Sequence, residues 1–232
     1  MGLRHEAFVV GDYVISPTVY NLASSGHSGI SSYDFRTAEE FKVQEFPFMV
    51  ELETNDWQYA HYTDKSGVCP AFPGCITLIG HTGQQYIPRV DERDTDIDAR
   101  VGFRIAKPRI YADIAVLGHE STFNIPGLNG VGLGLEKLPD YEKRVTVYFS
   151  AFYFPDLEGK FTVFNRTTGD SIIYTLSERD IRYQAGLMLS PIEDSPVFVD
   201  LGVLGDGNHA FNANPGSSTH FSGYAGLGFF AH

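Results

Sequence analysis

Residues 197–203 read Val-Phe-Val-Asp-Leu-Gly-Val, and residues 221–230 read Phe-Ser-Gly-Tyr-Ala-Gly-Leu-Gly-Phe-Phe. Every second position is apolar or small, and the positions between them hold Asp200, Gly202, Gly226 and Gly228. A period of two is the signature of a β-strand, whose successive side chains point to opposite faces. The apolar parity extends back through Ala99, Val101, Phe103 and Ile105, through Ile110, Ile114 and Val116, and through Val131, Leu133 and Leu135. It continues in Val145, Val147, Phe149 and Tyr153 and in Ile181, Tyr183, Leu187 and Leu189, with no charged residue interrupting it. The opposite parity carries Arg100, Arg104, Asp113, Glu136, Arg182 and Asp200. Clusters of Pro, Gly, Asn and Asp punctuate the segments and supply the turns.

Alternation alone fits two opposite architectures. A soluble barrel of the lipocalin type turns the apolar parity inward, whereas a membrane barrel turns it to lipid and keeps a polar interior. Glycine placement separates them: Gly102, Gly132, Gly134, Gly186, Gly202, Gly226 and Gly228 share the charged parity, and only Gly223 joins the apolar one. Glycine on a solvent-facing strand packs nothing, but inside a narrow barrel it makes room for long neighbouring side chains. Adding Lys42, Glu51 and Glu53 from the earlier strands gives an interior set of Lys42, Glu51, Glu53, Arg100, Arg104, Asp113, Glu136, Arg182 and Asp200. Its two signs are close to balanced, as enclosed charges require.

Short connections at 44–47, 107–108, 139–143 and 191–196 alternate with long ones at 21–35, 63–93, 119–127, 155–171 and 206–219, with a hairpin at 155–180 expected to project beyond the membrane. The strands then fall near 7–20, 36–44, 47–62, 94–106, 109–118, 128–138, 144–154, 172–190, 196–205 and 220–231. The expected fold is an all-β, antiparallel, up-and-down transmembrane β-barrel of ten strands, with short periplasmic turns and long extracellular loops. Pro17 interrupts the first strand and Asp12 leaves its face ambiguous, so an eight-stranded barrel with an N-terminal plug or arm is the alternative. At about ten residues per crossing, one barrel domain over 1–232 accounts for the chain.

Composition removes several classes of function. With 29 acidic and 17 basic residues the net charge is -12, which repels a phosphate backbone and excludes nucleic-acid binding. No apolar run is long enough for a membrane helix, which says nothing of strands. Met1 to Gly11 lacks the apolar core and cleavage site of a secretory signal. Either the protein is cytosolic or this is a mature form with an added start codon, and a membrane barrel implies the second.

These strands resemble those of bacterial outer-membrane β-barrel proteins, above all the glycine-studded segment 197–203 and the aromatic last strand 221–230, although Ala231 and His232 follow Phe230. The resemblance implies location in the outer membrane, contact with its lipid, and a C-terminal strand read by the barrel-assembly machinery. Ten-stranded members include the omptin proteases, similar in size. The rim here offers His61, His81, His119, Asp91, Asp94 and Asp96 without a pairing that repeats the omptin arrangement, and Gly118-His119-Glu120-Ser121 matches neither a zinc nor a nucleophile-elbow motif. No enzyme activity and no cofactor are expected. Asp91, Asp94, Asp96 and Asp98 are the densest acidic cluster and a candidate for cation binding at the rim, against a solvated acidic mouth. Trp57, Tyr59, Tyr62, Tyr153, Tyr183 and Phe229 are candidates for aromatic girdles.

The expected function is that of a small barrel whose lumen is closed by charge pairs, acting structurally or through its extracellular loops. A narrow channel or transporter for a small solute is the alternative, with a soluble binding barrel and a rim-site hydrolase beyond it. Cys69 and Cys75 flank a loop holding Pro70, Pro73 and Gly74, a placement that suits a disulfide in an oxidising compartment, two free thiols being the other reading. Thiol-reactive dye added under denaturing, non-reducing conditions is expected to label neither cysteine, and labelling of both contradicts the disulfide.

Overall fold

The computed structural model describes residues 5–21, 25–27, 32–43, 46–59, 78–79, 85–86, 92–121, 127–140, 142–164, 171–192, 195–211 and 216–231. The barrel strands are β1 His5–Asn21, β2 Ser32–Val43, β3 Phe46–Tyr59, β4 Glu92–Ala106, β5 Ile110–Ser121, β6 Leu128–Lys137, β7 Val145–Phe164, β8 Ser171–Leu189, β9 Val197–Ala210 and β10 Gly216–Ala231. Each pairs antiparallel with the next in the chain, and β10 returns to β1 with Ala7 opposite Ala231 and Asn21 opposite Ser218. The result is a closed ten-stranded up-and-down barrel, as the alternation predicts. Two short pairs accompany it: Ser25–His27 adds to Thr18–Tyr20 of β1, and Leu78–Ile79 pairs with Gln85–Tyr86.

Several connections are shorter than the turn residues suggest. The segment 155–171, expected as a long connection within a hairpin over 155–180, is largely strand and forms that hairpin: β7 runs on to Phe164 against Ser171 of β8. Pro155 falls where the register shifts between Phe154 and Leu157, so the missing N–H is absorbed by a bulge and pairing resumes beyond it. Pro17 is accommodated likewise in β1, between Ile15 and Thr18. The barrel therefore needs no N-terminal plug. The connection expected over 206–219 shrinks in the same way, since β9 reaches Ala210 and β10 begins at Gly216. The short turn after β4 carries Arg109 at φ 53°, the left-handed region that a non-glycine residue rarely adopts.

The two faces differ as the glycine argument requires. Phe103, Ile105, Ile114, Val131, Leu133, Val145, Val147, Ile181, Leu227 and Phe229 are exposed on the outer wall, while Asp12, Asp34, Arg36, Glu51, Asp98, Arg100, Asp113, Glu136 and Asp200 are buried inside. Asp12, ambiguous in sequence, points inward with Val10 and Val14, and Val9 and Tyr13 point out. The interior is less uniformly polar than expected. One cluster joins Phe8, Val10, Met49, Tyr111, Tyr148, Met188, Phe198, Tyr224 and Phe230, and a second joins Ala115, Leu117, Leu128, Phe152, Phe154 and Leu157.

Glycine explains how such rings fit in a narrow cylinder. A Cβ on Gly132 or Gly134 would run into the ring of Phe154 or Phe152, because these side chains of β7 lie flat across β6 rather than projecting to the axis. Gly186 and Gly202 similarly leave the space filled by the hydroxyl ends of Tyr148 and Tyr224.

Val147 and Leu201, 56% and 41% exposed, test which face meets lipid. Replacing either by Arg is expected to lower the stability of the barrel refolded in lipid by about 2–4 kcal/mol, the depth-dependent cost of a cation near the bilayer midplane. A urea titration of refolded vesicles reads the effect, and wild-type midpoints for both variants would overturn the assignment.

Candidate functional site

Three arginines organise the interior. Arg36 of β2 places Nη2 at 2.6 Å from Asp200 Oδ2, 3.3 Å from Asp12 Oδ2 and 2.9 Å from the Tyr148 hydroxyl, with Nε 3.3 Å from Asp34 Oδ2. Its guanidinium carbon lies 4.6 Å from the centre of the Tyr148 ring, and the Tyr148 hydroxyl donates to Asp200 at 2.8 Å. Gln184 adds a bond to Asp34 at 3.2 Å. Residues from β1, β2, β7 and β9 thus meet on one cation, and β8 joins them through Asp34.

Arg100 of β4 is the second centre. It bonds Asp98 at 3.0 Å, Glu51 at 3.2 Å and Glu136 at 3.5 Å, and it also pairs with Glu53. The Phe152 ring sits 4.2 Å from its guanidinium carbon. Arg182 of β8 is the third, with Asp96 at 2.9 Å and Asp180 at 2.8 Å. Asp96 is shared, because its other oxygen lies 2.7 Å from His119 Nδ1. Sequence spacing does not reveal this His–Asp pair: the two residues meet only because Asp96 and His119 face each other in the β4–β5 register.

Of the set expected inside, Glu51, Arg100, Asp113, Glu136 and Asp200 are buried. Glu51, Glu53 and Glu136 gather on Arg100, and Asp200 goes to Arg36, a centre absent from the expected set. Its signal lay in Tyr33-Asp34-Phe35-Arg36-Thr37-Ala38, which alternates with the same parity rule: Tyr33 and Phe35 face out, and Asp34, Arg36 and Ala38 are buried. Arg104 stands apart from the interior charges. It lies towards the short-turn end with its side chain 25% exposed, and its carboxylate neighbour among the described residues is Glu40 at 4.0 Å. The Lys42 side chain lies outside the described residues.

Charge balance also differs from expectation, since Asp12, Asp34, Asp96, Asp98, Asp180 and Asp206 are buried as well. Carboxylates outnumber cations, and the planar guanidinium explains how: its five donors serve several acceptors at once, which a lysine ammonium cannot match in geometry. Asp113 is the exception. It is 3% exposed, occupies the space left by Gly102, and among the described residues neither of its oxygens has a hydrogen-bond partner.

The acidic cluster expected as a rim cation site is not assembled as one. Asp96 and Asp98 point inward, where Arg182 and His119 take the two oxygens of Asp96 and Arg100 takes one oxygen of Asp98. Asp91 and the side chain of Asp94 lie outside the described residues, as do Cys69, Cys75, His61, His81 and Tyr62 and the side chains of Trp57 and Tyr59. Among the described residues no group of His, Cys, Asp and Glu has metal-binding geometry. Tyr153, Tyr183 and Phe229 are on the outer wall, where girdle residues belong.

A continuous apolar outer wall around an interior of paired charges inverts the soluble pattern. The fold is that of an outer-membrane β-barrel. No family model and no curated protein matches the chain. Among solved structures it is similar to Neisserial surface protein A, NspA, at 12% identity over 96% of each chain with a TM-score of 0.38. It is also similar to the Pseudomonas putida toluene transporter TodX, at 10% identity over 97% of this chain and 89% of the other, with a TM-score of 0.34. A third is Ail, the attachment invasion locus protein of Yersinia pestis, at 10% identity over 99% of this chain and 100% of the other, with a TM-score of 0.28. Likenesses this distant add nothing to what the chain's own geometry states.

Arg100→Met is expected to lower stability by about 3–5 kcal/mol, because it leaves buried carboxylates without their cation. Arg104→Met, at the exposed end of the same strand, should stay within about 0.5 kcal/mol of wild type. Urea midpoints of the two refolded variants measure the contrast.

Proposed function

We propose that the protein is a small outer-membrane barrel with a closed lumen, acting structurally or through its extracellular loops rather than by catalysis. The observation that carries this reading is the burial of Arg36 and Arg100, each 3% exposed although both sit on the inner wall of a ten-stranded barrel. Barrels of this size have interiors that side chains can fill. Here arginine–carboxylate groups and flat-lying aromatic rings occupy the space that a conduction path would need. The outer wall supplies the lipid-contacting surface, and the aromatic strand ending at Phe229 and Phe230 is the element that the assembly machinery of such barrels would read. The strands β7 and β8, extended beyond their bulge to Phe164 and Ser171, carry a paired ribbon away from the wall and towards whatever the loops meet.

A narrow channel is the second reading. It is favoured by the surplus of interior carboxylates and by the unpartnered Asp113, which would make such a path selective for cations.

Two measurements test the proposal. The protein should require detergent for solubility and migrate faster on gels before heating than after, whereas recovery as a water-soluble monomer would overturn the membrane reading. In planar bilayers the refolded barrel should show no steady open state. A stable cation-selective conductance would replace the closed barrel with the channel.

A further inference from the structure

The short-turn end of the barrel holds a cleft of about 290 Å³ lined by Glu6, Glu40, Arg104, Arg109, Asp140 and Glu142. These residues come from β1, β2, β4 and the turns that follow β4 and β6, so the cleft is built where the barrel wall meets its short connections. Most of its charges are committed. Arg109 pairs with Glu6, lies 3.7 Å from Glu40 and donates to the Pro139 carbonyl at 3.0 Å. Tyr111 donates its hydroxyl to Glu40, and Lys143 holds Asp140 at 2.8 Å. Arg104 is different. Among the described residues its ion-pair partner is Glu40 at 4.0 Å, beyond hydrogen-bonding distance, and a quarter of its side chain is open. Glu142 is exposed in the turn on the same cleft.

A guanidinium with donors to spare matches a carboxylate in bidentate geometry. A simple anion, however, would approach past four acidic side chains, Glu6, Glu40, Asp140 and Glu142, and would be repelled by them. A ligand that brings its own cation meets both demands. We propose that this cleft binds a small zwitterion, an α-amino acid or short peptide, whose carboxylate is held by Arg104 and whose ammonium group faces Glu142. The volume lies near the lower limit for small-molecule sites, which suits a ligand of one or two residues. The inference concerns only the cleft and does not need the lumen to be closed; on the membrane reading above, its ligand would come from the periplasm.

Titration calorimetry on the full chain in detergent tests it with L-alanine, Ala-Ala, N-acetyl-Ala-Ala, which lacks the ammonium group, and Ala-Ala amide, which lacks the carboxylate. Saturable one-site binding is expected for alanine, Ala-Ala or both, and which of them binds tells a free amino acid from a peptide. Each blocked peptide should bind at least about tenfold more weakly than Ala-Ala, the scale of losing a hydrogen bond to a charged group. Arg104→Gln should abolish binding, and Arg104→Lys should leave it intermediate, while both keep the mobility shift of the folded barrel. If neither alanine nor Ala-Ala binds, if the blocked peptides bind as well as Ala-Ala, or if folded Arg104→Gln binds normally, the proposal is overturned. Should the arginine variants fail to fold, the blocked peptides on the unchanged chain still decide it. A water-soluble protein that binds Ala-Ala would refute the membrane reading and leave the cleft assignment standing.

Discussion

The structure depends on arginine's capacity to hold several carboxylates at once in a space with little room for water. Taking a carboxylate out of water costs several kcal/mol, and only close, well-shaped pairing offsets it. Arg36 gathers Asp12, Asp34 and Asp200, and Arg100 gathers Glu51, Glu53, Asp98 and Glu136. Each cation thereby ties together strands that are not neighbours in the sheet, so the backbone ladders close the wall and the guanidinium groups brace it from within. Aromatic faces complete the arrangement, with Tyr148 against Arg36 and Phe152 against Arg100. A ring covers the face of the cation that carboxylates in its plane leave open.

Glycine makes this bracing possible. Rings that pointed straight at the barrel axis would collide with those from the opposite wall. Laid flat over Gly132, Gly134, Gly186 and Gly202, they become part of the wall and leave the centre to the charges. The outer surface has no comparable requirement of fit. On the membrane reading, lipid would ask of Val147 or Leu133 only apolar area, so the outer parity would tolerate Val, Leu, Ile, Phe and Tyr almost interchangeably, whereas the inner parity is specific residue by residue.

That contrast explains what could be read from sequence. Strands such as the one beginning at Val197 were legible over 196–205, though not in their extension to Ala210, because one wall is uniformly apolar and any period-two pattern in it stands out. Arg100, Glu136 and Asp200 were legible as interior residues by the same rule, but their partners were not, since pairing depends on register around the ring and not on position along one strand. Asp12 was obscured because Phe8, Val10 and Val14 are apolar on the inner face too, and Arg36 because residues 21–35 read as a long connection although the strand already begins at Ser32. Arg104 satisfies the parity rule yet sits away from the interior charges, because parity gives the face of a residue and says nothing of its depth along the barrel axis. The hairpin past Pro155 was legible, but its continuity with the wall strands was not: proline signals a turn, and a bulge satisfies the same constraint without ending the strand.

The seam between β1 and β10 has a consequence for how the barrel is made. Every other strand pairs with one adjacent in the chain, but Phe8 must find Phe230 and Val14 must find Tyr224 across almost the whole polypeptide. Loop-closure entropy delays contacts of that separation. Until they form, β1 and β10 are both open edges, each offering unpaired backbone groups to any other strand that comes near. The two edges also carry Asp12 and the glycine that accommodates it, Gly226, so closing the seam seats a charge at the same moment as it pairs the backbone. Ring closure is thus the step at which an aggregation-prone curved sheet becomes a cylinder with no free edge, and a catalyst that shields those edges would act there.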